Sequence, residues 1–151
     1  MIAMVFVDTN VLVYARDETE PAKRDRAGTV LRALWQSRTG CVSHQVLIEF
    51  YAIVTRKLKP GLPRPMAAAD VRELAAWRPV TPSLRLIESA WQIEEQYALS
   101  WWDSLIVAAA LASSCSTLLS EDLQDDLEIN GLRVVNPFHP EFDTTSLTRG
   151  D

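Results

Sequence analysis

An unbroken apolar run near the start of the chain ends abruptly at three small polar residues. Residues 2–7 are apolar and rich in residues that favour strands, which is typical of a strand covered on both faces in a parallel sheet. Asp8, Thr9 and Asn10 follow, and the apolar residues that resume over 11–15 predict a short helix. A strand of this kind needs helices on both sides, which favours an α/β fold.

Predicted helices and strands alternate along the rest of the chain. Helices are expected over residues 22–35, 44–57, 66–77, 84–97 and 100–115. Strands are expected over residues 40–43, 116–122 including the exit of the strand, and 132–138, with a short extended piece at 78–82 and a proline-rich loop at 60–65. This alternation predicts an α/β sandwich with a mostly parallel sheet.

Length and charge limit the possible classes of protein. A chain of 151 residues is most economically one domain, here residues 1–138, with a polar tail over 139–151 that we expect to be poorly ordered. The net charge of −5 disfavours non-specific binding to nucleic acid, although it leaves room for a local basic strip.

The two cysteines, Cys41 and Cys115, are expected to be buried free thiols. No signal peptide or membrane span is apparent, so a cytoplasmic protein is expected.

Four acidic residues occur next to predicted strands or within apolar helices, where a charged side chain is unusual. Asp8 ends the first strand and Asp122 follows a later one, and in open α/β sheets the working crevice lies beyond the carboxyl ends of the strands. Glu49 sits in a mostly apolar helix with no cation one turn away, and Asp103 opens the last predicted helix.

Each acid also has a purely structural interpretation. Asp8 is suited to cap a helix, Glu49 to face the one solvated edge of its helix, and Asp103 to form a capping box with Ser100. Asp122 stands in an acidic turn, where Asp125 or Asp126 is an alternative for the fourth position.

Taken together, the four acids predict an acidic pocket. Carboxylates that crowd together repel one another, and a divalent cation removes that repulsion. Oxygen ligands select Mg²⁺ or Mn²⁺, which activate water and stabilise a phosphodiester under attack. Hydrolysis of phosphodiester bonds is therefore the hypothesis, with Asp8 as a ligand and Thr9 and Asn10 orienting it or a bound water.

Four segments in this order resemble the PIN-domain ribonucleases, particularly the VapC-type toxins of bacterial toxin–antitoxin pairs. They are "VDTNVLVY", the helix "SHQVLIEFYAIVTRK", "WWDSLIVAAA" and "LLSEDLQ", closed by "VVNPF", and the resemblance covers about residues 2–138. It implies a three-layer α/β/α sandwich and an acidic quartet of catalytic metal ligands at Asp8, Glu49, Asp103 and Asp122. Where the family often has T-x-D, this chain has Ser120-Glu121-Asp122, so Ser120 keeps the supporting hydroxyl. The resemblance further implies a homodimer and a cognate antitoxin that reaches into the acidic groove.

The sequence is also compatible with two other functions and with a separate contact surface for RNA. A catalytically silent RNA- or protein-binding module and a receiver-type Mg²⁺-binding signalling domain are the alternatives, although a receiver would need a late strand that ends in lysine. A basic cluster beside the proline-rich loop is a candidate RNA contact or an ordinary solvated surface; its members are Arg56, Lys57, Lys59 and Arg64.

Overall fold

A computed structural model describes residues 3–147 of the chain. Its sheet has five strands in the order β2-β1-β3-β5-β4, in which only the β4–β5 pair is antiparallel. The strands are β1 Met4–Val7, β2 Gly40–Cys41, β3 Cys115–Leu119, β4 Glu128–Ile129 and β5 Leu132–Val135. The predicted α/β sandwich with a mostly parallel sheet is confirmed.

Helices follow the strands and flank the sheet. They are α1 Thr9–Tyr14, α2 Pro21–Ser37, α3 His44–Arg56, α4 Arg64–Leu74, α5 Leu84–Tyr97 and α6 Trp101–Ala112. Short 3-10 helices cover Ala75–Trp77 and Thr144–Leu147. Within residues 3–147 no helix is both long and apolar enough to cross a membrane.

Local sequence explains where several helices begin. The hydroxyl of Ser43 accepts a hydrogen bond from the N–H of Val46 at the start of α3, and Ser83 and Ser100 cap α5 and α6 in the same way. Pro65 stands in the first turn of α4, where its missing N–H leaves no helical hydrogen bond unmade. For that reason α4 begins at Arg64, inside the segment predicted as a loop.

The core lies between the central strands and the helices. Phe6, Val7, Leu118 and Leu119 are fully buried, as the unbroken apolar runs of β1 and β3 predict. Cys41 and Cys115 are buried free thiols, as predicted. Of the predicted first strand, Ile2 lies outside the described residues.

The structure also differs from the sequence prediction at the end of the last predicted helix. The last predicted helix ends at Ala112, and Cys115 belongs to β3 instead. A guanidinium nitrogen of Arg26 on α2 donates hydrogen bonds to the carbonyls of Pro137 at 3.1 Å, just before the predicted tail, and of Phe142 at 3.2 Å, within it. Leu147 is buried there, and residues 148–151 lie outside the described part of the chain.

Parallel pairing brings the ends of β1 and β3 to one edge of the sheet. Val7 is paired with Leu119, and the N–H of Asp8 donates to the carbonyl of Leu119 at 3.0 Å. The residues that follow the two strands, Asp8 and Ser120, are therefore neighbours although 112 positions separate them in sequence.

Candidate active site

Asp8 is a buried carboxylate that both caps a helix and faces a cavity. Its Oδ1 accepts a hydrogen bond of 2.7 Å from the N–H of Thr9, and its Oδ2 accepts one of 2.8 Å from the hydroxyl of Ser120. Burial raises the pKa of Asp8 to about 6, these two hydrogen bonds oppose the rise, and the charges of Asp103 and Asp122 add to it. The ionised form of Asp8 is thus disfavoured where it stands.

Asn10 ties the two strand ends together through its side-chain amide. Its Nδ2 lies 3.4 Å from Oδ2 of Asp8, 3.3 Å from Oγ of Ser120 and 3.2 Å from Oδ2 of Asp122. Its Oδ1 accepts a hydrogen bond of 3.2 Å from the backbone N–H of Glu121. Asn10 therefore fixes the turn after β3 relative to the start of α1.

Glu49 points toward this group from the middle of α3. Its Oε2 accepts a hydrogen bond of 2.9 Å from the hydroxyl of Thr9, and its Oε1 accepts one of 3.0 Å from the amide of Gln45. The carboxylate is half-buried and neutral donors hold it on both sides. Its partner one turn before it in α3 is a glutamine, so Glu49 gains orientation without gaining a counter-charge.

Asp103 lies in the first turn of α6, where only half of the predicted capping box forms. Its backbone N–H donates to the hydroxyl of Ser100 at 3.1 Å. Within residues 3–147 its carboxylate accepts no hydrogen bond and forms no ion pair, and it lines the cavity instead. The cap uses the backbone of Asp103 and leaves its side chain free.

These side chains line one cavity of about 330 Å³. The four predicted acids all face it, together with the side chains of Thr9 and Asn10. Asp17 and Gln45 also line it, although neither is among the predicted site residues. Gln45 stands one turn before Glu49, a spacing that predicts contact between the two side chains. The sequence around Asp17 contains no comparable pattern that would predict its place in the cavity.

The neighbouring acids of the turn after β3 face elsewhere. Oδ1 of Asp125 accepts from the N–H of Asn136 at 2.7 Å, and Asp126 lies 3.4 Å from Arg133 in an ion pair. Glu121 is paired with Lys23 at 2.8 Å. Of the acids in this turn, only Asp122 lines the cavity.

The basic cluster stands apart from the acids. Arg56, Lys57, Lys59 and Arg64 are all exposed, and none of them lines the cavity. Ile53, which does line it, lies one turn before Lys57 along α3. The cluster therefore lies at and beyond the C-terminal end of α3, the helix that carries Glu49. This position fits both a site of first contact with RNA and an ordinary solvated surface.

The carboxylate oxygens of the four acids suit a hard divalent cation in both ligand type and charge. No lysine or arginine of the described chain forms an ion pair with any of the four acids. As the side chains stand, no three His, Cys, Asp or Glu residues within 3–147 form a group that could hold a metal ion. Among the described residues, the carboxylate of Asp103 accepts no hydrogen bond and that of the exposed Asp122 accepts one only from Asn10, so both carboxylates are free to turn toward a cation.

An apolar groove of about 540 Å³ adjoins the acidic cavity between α3, α5 and α6. It shares Gln45, Glu49 and Trp102 with that cavity. Ile48 and Trp102 are 68% and 63% exposed at this place, although side chains of this kind are usually covered. The groove marks a surface suited to a protein partner.

Comparisons with known proteins agree with this geometry. Residues 5–126 match the PIN domain family. A structure titled "Toxin-antitoxin complex from Klebsiella pneumoniae" has the same fold, with a TM-score of 0.64 and 20% sequence identity over 89% of this chain and 98% of the other. No curated protein matches the chain. Because the family match covers most of the sequence, this chain belongs to the PIN domain family, whose members are generally nucleases.

Proposed function

We propose that this protein is a Mg²⁺- or Mn²⁺-dependent endoribonuclease that hydrolyses phosphodiester bonds. One observation supports the proposal above the others. Acids from four distant segments, Asp8, Glu49, Asp103 and Asp122, line one cavity without a paired cation in the described chain. Such a concentration of uncompensated charge is costly unless the site serves to bind a cation.

The four acids would hold the metal ion. When bound, Mg²⁺ or Mn²⁺ activates water and stabilises the charge that develops on the phosphodiester. Thr9 and Gln45 orient Glu49 by donating hydrogen bonds to its two oxygens. Asn10 and Ser120 do the same for Asp8 and hold Asp122 beside it.

The test is cleavage of a labelled single-stranded RNA by the purified protein with Mn²⁺, with Mg²⁺ and with chelator. We expect cleavage only with metal, and we expect Asp8→Ala and Asp103→Ala to abolish it. Glu95→Gln, an exposed change on α5, is the matched control for loss of one negative charge. Calorimetry of Mn²⁺ binding without RNA separates loss of the ion from loss of the substrate.

Failure of that test would favour a different class of protein. RNA that binds to the wild-type protein and stays intact with metal present would indicate a catalytically silent binding module. Tight Mg²⁺ binding without RNA binding or cleavage would favour the signalling alternative.

We also propose that the protein is the toxin of a type II toxin–antitoxin pair, that it acts in the cytoplasm and that it forms a homodimer. The apolar groove supports an antitoxin partner, because an apolar segment seated there could place a basic side chain among the acids beside Glu49. Induced expression of wild-type protein should arrest growth, and expression of Asp103→Ala should not. Sedimentation equilibrium of the purified protein tests the homodimer directly.

A further inference from the structure

A compact cluster at the border of the acidic cavity holds Glu121, the residue between Ser120 and Asp122 in the sequence. Both carboxylate oxygens of Glu121 contact Nζ of Lys23, Oε1 at 3.0 Å and Oε2 at 2.8 Å. The hydroxyl of Tyr14 donates to Oε1 at 3.0 Å. Glu121 thus has an ammonium group and a phenol as partners on the side away from the acids.

Lys23 is itself held in place by aromatic rings. Its Nζ lies 4.6 Å from the ring centroid of Tyr14 and 5.7 Å from that of Phe138. The two rings pack edge to face with their centroids 5.0 Å apart. The side chains of Lys23 and Glu121 are 34% and 24% exposed, so this ion pair is partly shielded from water.

The cluster borders the acidic cavity. Tyr14 lines the cavity on one side and bonds Glu121 on the other. Glu121 itself does not line the cavity, although its neighbour Asp122 does. The backbone N–H of Glu121 is held by Asn10, which also bonds the Asp122 carboxylate. Both the backbone and the side chain of Glu121 are therefore fixed, and its side chain is fixed outward.

We infer that Lys23 is a positioning residue: it holds Glu121 out of the acidic cavity and so leaves Asp122 alone to complete the site. This inference rests on the proposed metal-dependent function. Without Lys23, Glu121 keeps a partly buried charge whose one remaining partner among residues 3–147 is the Tyr14 hydroxyl, which is an unfavourable arrangement. Its flexible carboxylate would leave the cluster, and the turn that places Asp122 would no longer be held.

The decisive variants separate the charge of Glu121 from simple loss of packing. We expect Lys23→Met to weaken Mn²⁺ binding by about tenfold, the lower end of what loss of a supporting partner costs at metal sites. The double variant Lys23→Met/Glu121→Gln should recover most of that loss, because a neutral amide needs no counter-ion and can still accept from Tyr14, which keeps the turn in place. Lys23→Arg should remain close to wild type.

Arg24→Met is the matched control, since Arg24 is exposed on the same helix and its loss changes the net charge equally. Calorimetric Mn²⁺ titration without RNA is the main measurement, and cleavage of RNA is the second. A crystal structure of Lys23→Met with Mn²⁺ should show Glu121 turned toward the cavity.

Two results would overturn the inference. One is wild-type Mn²⁺ affinity in Lys23→Met, and the other is a double variant as defective as the single one, which would indicate a packing role only. Wild-type protein that neither binds Mn²⁺ nor cleaves RNA would instead reject the proposed function, and the inference with it.

Discussion

Asp8 has two roles that sequence alone presents as alternatives. It stands at the N-cap of α1 and accepts from the first N–H of that helix, and its second oxygen accepts from Ser120 at the edge of the cavity. A carboxylate has enough lone pairs for both. At this residue the structural and the functional interpretation are compatible, so a satisfied cap does not argue against a role in the site.

The raised pKa of Asp8 predicts how stability depends on pH without metal. The folded protein holds the Asp8 proton up to a pKa of about 6, whereas an ordinary Asp has 3.8. The contribution of Asp8 is therefore favourable at low pH and is lost as pH rises from about 4 through about 6. Asp8→Asn removes the cost of the charge and should raise the free energy of unfolding at pH 7.5 by about 1–3 kcal/mol in chelator.

Denaturant unfolding at pH 4.5 and 7.5 checks this prediction. The gain in Asp8→Asn should shrink at the lower pH, where Asp8 of the wild type is mostly protonated. Glu95→Gln should show no such difference between the two pH values. An Asp8→Asn protein less stable than wild type at pH 7.5 would show that the hydrogen bonds of the carboxylate outweigh its burial.

Asp103 should separate activity from stability most cleanly. Its carboxylate makes no hydrogen bond within the described residues, so Asp103→Asn should change the free energy of unfolding by less than about 0.5 kcal/mol. Metal-dependent cleavage should fall by at least about 100-fold, the upper end of what loss of a ligand's supporting partner costs, because the ligand itself is lost. Thermal unfolding in chelator and initial cleavage rates measure the two effects, and retained activity would remove Asp103 from the site.

The N-cap of α6 allows a test of whether capping by Ser100 orients the carboxylate of Asp103. Ser100→Ala removes the cap of α6 and should cost about 1 kcal/mol of stability. Activity well below the melting temperature should persist, because buried residues such as Ile106 and Val107 hold the helix against the core. Ser83→Ala, which uncaps α5, is the matched control. A much larger loss of activity in Ser100→Ala than in Ser83→Ala would contradict this view and make the cap part of the site.

Element type was predictable wherever local chemistry and burial agree. The serines before α3, α5 and α6 cap those helices, and the apolar run of β1 lies inside the sheet between β2 and β3. The short strand β4 was missed although Asn130 and Gly131, both with positive φ, form the turn of its hairpin. An Asn-Gly pair is a strong hairpin signal, but a strand of two residues shows no alternation that would point to it.

The net charge of the protein and its local basic cluster have opposite expected effects on RNA binding. The overall charge of −5 repels RNA, so a basic strip would have to provide the attraction. If Lys57 and Lys59 provide it, Lys57→Gln/Lys59→Gln should weaken RNA binding and reduce the slope of log K against log salt by about 1.4, or about 0.7 for each contact with single-stranded RNA. Fluorescence anisotropy in chelator at several salt concentrations measures this slope.

The control for that experiment lies at the other end of the sheet. Arg38 and Arg78 line a separate cavity beside Gly40, where β2 begins. Arg38→Gln/Arg78→Gln changes the net charge equally and should leave the slope unchanged. Equal slopes of log K against log salt in the two double variants would show that Lys57 and Lys59 are ordinary solvated surface residues without a role in RNA binding.

The sequence by itself determined the order of the main helices and of every strand except β4, the caps and the residue types of the site, because these depend on neighbours within a few positions. It also marked Asp8, Glu49, Asp103 and Asp122 as unusual. Only the tertiary structure decided that they line one cavity, that Asp122 faces it in place of Asp125 or Asp126, and that Asp17 joins them. The direction of a side chain in an acidic turn depends on partners such as Asn10 and Lys23, more than 90 positions away, and those contacts exist only after the sheet has formed.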